Sequence, residues 1–153
     1  MKNFLVLMLV LVLALTFCAG AQATVQTFNG FAVHGFSLDV PAGWFASENK
    51  DSNKFDFNSP DGSITIARMG GAESITFLYA SSEGLYEATF AEAIAGLMNG
   101  SDPVENGFGD FEFSYTKGGE KTNVLTRHIS HLGIVMESKS GFDDILSILE
   151  TLN

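Results

Sequence analysis

Residues Phe36–Trp44 read FSLDVPAGW, and the fold is interpreted outward from this stretch. Its first five residues alternate apolar and polar side chains, which predicts a strand with one buried face, because successive side chains of a strand point to opposite sides. Pro41 removes the next backbone donor and Gly43 allows a tight turn, so we expect the strand to end there. Trp44 can then fold back over the apolar face. We therefore predict Phe36, Pro41, Gly43 and Trp44 as structural anchors.

The N-terminal segment has the pattern of a secretory signal peptide. Lys2 precedes an apolar run at residues 4–17, and Ala21 and Ala23 supply the small side chains of a cleavage site. An uncleaved membrane anchor is the alternative, but the run is shorter than the roughly 20 residues that a spanning helix needs. We expect residues 1–23 to be removed and the protein to be periplasmic or secreted, without stable membrane insertion.

Cys18 allows a second interpretation, a lipid-modified exported protein. Phe17 stands directly before it, where that processing normally requires a small residue, so the lipoprotein interpretation is disfavoured. Cleavage after Ala23 would remove the only cysteine. Disulfides and thiol catalysis are then both excluded.

The rest of the chain, residues 24–153, has the length of a single domain. The whole sequence carries 18 acidic and 8 basic residues, a formal net charge of −10. Such a charge repels DNA, RNA and anionic membrane surfaces, so we expect no nucleic-acid partner. The charges are scattered, which favours a solvated surface over a functional acidic patch.

Further strands are predicted by alternation. A first strand can begin after Asn29-Gly30, and residues 48–53 read as a loop. The alternating runs at 55–57 and 64–66 flank the turn sequence SPDG and predict a hairpin. Another strand is expected around residues 75–79.

A helix is predicted in the middle of the chain. Tyr86, Phe90, Ile94 and Leu97 recur at helical spacing, and Asn99-Gly100 is a good stop signal. The apolar stripe could serve a membrane or a partner, but covering one face of the sheet is the favoured interpretation.

The last third of the chain predicts a meander followed by a helix. Three alternating runs, at residues 111–116, 122–129 and 132–136, follow a turn-rich connection at 103–107 and are joined by links too short for parallel crossovers. Apolar residues at 145–152 then recur on one helical stripe. The fold class is therefore α+β, with an antiparallel sheet of about six to seven strands packed against helices.

The order of these elements resembles the PsbP-like superfamily. The resemblance is carried by VPAGW at 40–44, SPDGS at 59–63, GDFEFSY at 109–115 and DIL at 144–146, and it spans nearly all of residues 24–153. It implies an αβα sandwich of the kind found in bacterial exported proteins of unknown role, acting by docking on partners and not by catalysis. The matching positions are core and turn residues, so no binding residue is carried over.

Candidate chemistry is sparse. His128 and His131 are the only close histidine pair and are weak candidates for a metal site, because positions three apart on a strand face opposite sides. Gly107-Phe108-Gly109 begins like a dinucleotide fingerprint, but no third glycine follows and it leads into a strand. The polar cluster at 51–61 lacks the spacing of a calcium loop. We expect no cofactor.

No nucleophile elbow, zinc-protease motif or cysteine nucleophile is present, so an enzyme is not expected. The first hypothesis is a non-catalytic exported domain that docks on another envelope or secreted protein. The second is a periplasmic protein that binds a small ligand or divalent cation. An enzyme of unrecognised type is the third.

Overall fold

The computed structural model describes residues 23–28, 35–49, 63–79, 87–129 and 132–153. The strands of this described part are β1 Thr24–Phe28, β2 Phe36–Val40, β3 Trp44–Asn49, β4 Ser63–Arg68, β5 Ser74–Tyr79, β6 Val104–Glu105, β7 Phe111–Lys117, β8 Glu120–Ile129 and β9 Leu132–Ser138. Its helices are α1 Glu87–Met98 and α2 Asp143–Leu149. Neither helix is long and apolar enough to cross a membrane.

The main sheet has seven strands in the order β3-β4-β5-β9-β8-β7-β6, and every neighbouring pair is antiparallel. Strands β7, β8 and β9 form the predicted meander. Strand β5 lies beside β9, so the N-terminal and C-terminal halves of the chain join in the middle of one sheet. Strands β1 and β2 form a separate two-stranded sheet.

One face of the main sheet is covered by the β1–β2 hairpin and α2. Phe36 of β2 packs on Phe77 of β5, with ring centroids 4.7 Å apart. The chain end is tied to β2, because Ser37 and Asn153 exchange two backbone hydrogen bonds of 2.8 and 2.9 Å. The apolar residues of α2 close this core, whose largest fully buried members include Leu38, Ile64, Ile66, Ile75, Phe77, Ile134, Met136 and Ile145.

Helix α1 covers part of the opposite face. Phe90 and Ile94 are buried against β7, β8 and β9. The helix ends in a Schellman motif: Gly100 N–H donates to the Ala95 carbonyl at 2.8 Å, and Asn99 takes a φ of 52°. The predicted stop at Asn99-Gly100 is therefore confirmed, and this cap fixes where α1 ends beside the sheet.

The α+β class, the antiparallel sheet and the helices on both of its faces are confirmed. The strand predicted to begin after Asn29-Gly30 lies outside the described residues. Three local predictions are wrong. Strand β3 extends through Asn49 into the predicted loop. The connection at 103–107 contains the short strand β6. Leu97 is 51% exposed, because the buried stripe of α1 runs through alanines beside Phe90 and Ile94 instead. The predicted run at 55–57 lies outside the described residues.

Candidate binding sites

Only one residue of the predicted histidine pair lies in the described part of the chain. His128 lies on β8, where its ring centroid is 6.2 Å from that of Phe90. Its buried Nε2 makes no hydrogen bond with a described residue. His131 lies outside the described residues. Within the described ranges, no group of three His, Cys, Asp or Glu side chains could hold a metal ion.

Four anchors and the two cleavage residues were also predicted. Phe36 is buried in the core, and the Trp44 N–H donates to the Pro41 carbonyl at 3.1 Å across a turn in which Gly43 has a φ of +81°. Trp44 is half-buried and packs against the core. Of the cleavage residues, Ala23 is exposed and Ala21 lies outside the described part.

Trp44 also packs beside a cluster of charged residues centred on Arg68. The Arg68 guanidinium lies 5.3 Å from the Trp44 ring centroid. It contacts Asp144 at 2.6 Å and Glu73 at 2.8 Å. The hydrogen bond to Asp144, with the charge of Glu73, raises the pKa of Arg68. Because its guanidinium is already paired with two carboxylates, this arginine is not an anion-binding group.

A first candidate surface is the turn between β6 and β7, which presents an exposed phenylalanine. Phe108 is 89% exposed and stands between Gly107 and Gly109. Both glycines have positive φ angles, 84° and 83°, which side-chain-bearing residues rarely adopt. The side chain of Asn106 bridges the turn: its Oδ1 accepts from Phe108 N–H at 3.0 Å, and its Nδ2 donates to Glu112 at 3.1 Å.

The base of this turn is fastened to the sheet. Asn106 N–H donates to the Asp110 carbonyl at 2.9 Å. The buried Asp110 carboxylate accepts two hydrogen bonds from Arg127 of β8, at 2.7 and 2.6 Å. This bidentate contact raises the pKa of Arg127. The exposed ring of Phe108 is therefore carried on a braced turn.

The segment that carries Phe108 also bears a second exposed apolar side chain and three exposed carboxylates. Val104 of β6 is 67% exposed and lies opposite Glu112 of β7 in the antiparallel register. Asp102 and Glu105 are also exposed on this segment. We call Val104 and Phe108, with these three carboxylates, the Phe108 patch.

A second candidate surface is a groove on the helix α1 face of the sheet. Helix α1 covers β7 and β8, and no other helix or strand of the described part covers the neighbouring face of β3 and β4. The space between them has a volume of about 830 Å³. We call it the α1–β3 groove. Its helical wall includes Leu97 and Met98 from the end of α1.

The floor of the groove is a row of hydroxyl groups. Ser47, Thr65 and Thr76 are direct cross-strand neighbours on β3, β4 and β5. The hydroxyls of Thr65 and Thr76 are 3.1 Å apart and hydrogen-bonded to each other. Phe45, two residues before Ser47 and so on the same face, is 46% exposed.

The far end of the groove holds a tyrosine–glutamate pair. The Tyr115 hydroxyl donates to Glu137 Oε1 at 2.6 Å, and Ser74 donates to Oε2 at 3.2 Å. Burial, followed by the hydrogen bond and charge of Glu137, raises the pKa of Tyr115. Lys117 lies on the groove margin. It forms no ion pair with a described residue.

Neither surface was predicted as a site. The sequence does contain the two signals: GFG framed by Asn106 and Asp110, and the pattern Ser-Ile-Thr that begins both β4 and β5. The first is typical of a tight turn carrying an aromatic residue, and the second places hydroxyls on one face. Their positions relative to α1 depend on long-range strand pairing.

A scan against protein-family models finds no match for this chain. A search of curated proteins finds none either. Among solved structures, the chain is similar to the solution structure of cyanobacterial PsbP (CyanoP) from Synechocystis, with 11% sequence identity and a TM-score of 0.47, covering 88% of this chain and 95% of that chain.

Proposed function

We propose that the protein is an exported, non-catalytic domain that docks on a protein partner in the envelope or outside the cell through the Phe108 patch. The observation that carries the proposal is a large aromatic side chain, 89% exposed, held on a braced turn. Leaving such a ring in water is unfavourable, and burying it in a partner is favourable by roughly 1.5–3 kcal/mol. Holding it in place beforehand lowers the entropy cost of docking.

The patch also indicates the chemistry of its partner. The aromatic and apolar centre fits an apolar pocket, as interface hot spots do. The acidic margin fits a pocket rimmed by lysine or arginine. Because charge pairs at a rim act mainly on the association rate, we expect association to slow as ionic strength rises.

The test is capture of the partner from the native host. The full chain carries an affinity tag beyond Asn153 on a flexible linker, because the backbone of Asn153 is bonded to β2. Proteins retained after mild cross-linking are identified by mass spectrometry. Phe108→Ser is expected to lose the specific partner while keeping the circular dichroism spectrum of the parent.

Val25→Ser is the matched control, because Val25 is 68% exposed on β1 and lies outside the patch. It should retain the partner. Equal capture by Phe108→Ser and by the parent protein would refute docking through this patch.

A further inference from the structure

The groove face of β4 and β5 differs in chemistry from their other face. Ile64 and Ile66 of β4 and Ile75 and Phe77 of β5 are fully buried on the core side. The alternate positions carry serine, threonine and alanine, except for Leu78, which is buried against Phe90 and Ile94 of α1, and no charged residue is among them. Exposed sheet faces that serve only solubility are normally rich in charged side chains, so an uncharged hydroxyl face is unexpected in a chain with 18 acidic residues.

The hydroxyls of the floor have unused hydrogen-bonding capacity. Two hydroxyl groups have two hydrogens and four lone pairs. The single bond between Thr65 and Thr76 uses one hydrogen and one lone pair. Within the described ranges, the hydroxyl of Ser47 makes one long contact, 3.5 Å, to the Thr65 carbonyl. The row therefore presents both donors and acceptors to the groove.

An aromatic ring lies beside these hydroxyls. Phe45 is on the same face of β3 as Ser47, and both line the groove. In the register of the sheet, Phe45 is opposite Ala67, whose small side chain leaves space beside the ring. Apolar surface for stacking thus lies next to a hydroxyl row.

The charge and size of the groove limit the class of ligand that it can bind. Among the described residues, its charged lining residues are Lys117 and Glu137, whose formal charges balance, although the whole chain carries −10. Glu137 already accepts bonds from Tyr115 and Ser74. The volume of about 830 Å³ lies within the range of small-molecule sites.

We propose that the α1–β3 groove binds a neutral saccharide, with one sugar ring stacked on Phe45 and its hydroxyls bonded to Ser47, Thr65 and Thr76. A sugar has apolar C–H faces and hydroxyl edges that both donate and accept, which matches an aromatic ring beside a hydroxyl row. This site is separate from the Phe108 patch, because no residue of the patch lines the groove, which reaches β7 only at the end away from the Phe108 turn.

The test is an NMR titration of the isotope-labelled full chain with neutral mono- to tetrasaccharides of glucose, galactose, mannose and N-acetylglucosamine. At least one saccharide should give saturable amide shifts centred on β3, β4 and β5. Phe45→Ser and Thr65→Val should each weaken that binding by about tenfold, equal to about 1.4 kcal/mol. Thr65→Val keeps the branched shape and removes only the hydroxyl.

Val25→Ser serves as the control and should bind like the parent. No saturable shift with any member of the panel, or shifts that persist unchanged in both groove variants, would overturn the proposal. Saturation by a tri-alanine peptide without any response to the sugars would also overturn it, in favour of a peptide groove. Each result is independent of whether the Phe108 patch captures a protein.

Discussion

At the scale of single residues, the pair Asp110–Arg127 links a buried carboxylate to the turn that presents Phe108. Asp110 is 4% exposed, and its bidentate contact joins the residue directly before β7 to Arg127 of β8. An ion pair of this burial has little net stabilising effect over an apolar replacement, but removing one partner leaves the other charge uncompensated.

We therefore expect Asp110→Ala to lower the free energy of unfolding by about 2–4 kcal/mol, because the guanidinium of Arg127 loses its counter-charge. Urea denaturation measures this loss. Glu120→Ala is the matched control, since Glu120 pairs with Lys139 at an exposed site, and its midpoint should scarcely move. Equal losses in the two variants would show that Asp110 acts as an ordinary surface residue.

Tyr115 predicts a dependence of stability on alkaline pH. Its pKa in the folded protein is raised above 10.0, first by burial and then by Glu137. A group whose pKa is raised by folding stabilises the fold below its unfolded value, and this contribution is lost as pH rises through the folded value. The stability of the protein should therefore fall above pH 10 more steeply than that of Tyr115→Phe.

Denaturant midpoints of both proteins, measured below and above that pH, check this prediction. Parallel pH profiles for the two proteins would show that the hydroxyl of Tyr115 does not titrate differently in the fold.

At the scale of elements, helix α1 rests on a glycine of the central sheet. A Cβ added at Gly133 would lie 2.5 Å from the Phe90 ring, which is itself buried. The close approach of α1 to β9 therefore requires the absence of a side chain at this position. The contact between Gly133 and Phe90 also helps to position α1 over the sheet, and therefore the helical wall of the α1–β3 groove.

Gly133→Ala should lower the free energy of unfolding by about 1–3 kcal/mol through overpacking. The double variant Gly133→Ala/Phe90→Leu should lose less than the sum of the two single variants, because a smaller residue makes room for the methyl group. Chemical denaturation of all four proteins measures the coupling. Strictly additive losses would exclude a direct clash between these two positions.

Elements with strong periodicity were predictable from the sequence, and the sites were not. Alternation in β2 and in the three strands of the meander identified their buried faces, and Asn99-Gly100 correctly ended α1. Strand β3 was missed because WFASEN follows a turn and ends in polar residues. Periodicity assigns faces but not neighbours, so the row of Ser47, Thr65 and Thr76 becomes visible only when β3, β4 and β5 are paired.

The Phe108 turn was missed for a different reason. Gly107 and Gly109 resemble the start of a nucleotide-binding motif, but no third glycine follows. The sequence therefore assigns no role to the phenylalanine between them. Its exposure depends on the tertiary contacts of Asn106 and Asp110. The local pattern GFG indicates a turn that carries an aromatic residue, but not whether the ring is exposed or buried against the sheet.

At the scale of the whole molecule, the sheet separates the two candidate surfaces. The Phe108 patch lies at the β6 edge, before the start of β7, and the groove extends from β3 to the opposite end of β7, at residues 115–117. A protein partner at one edge therefore leaves the other surface accessible. This arrangement fits a domain that binds a partner and a small ligand together.

Site-specific photo-crosslinking at position 108 tests docking through the Phe108 patch most directly. The photoreactive analogue p-benzoyl-phenylalanine replaces Phe108 in one protein and Val25 in another, both produced in the native host. On illumination, position 108 should yield one dominant cross-linked protein, and position 25 should yield none above background. Equal cross-linking from the two positions, or none from position 108, would contradict the account.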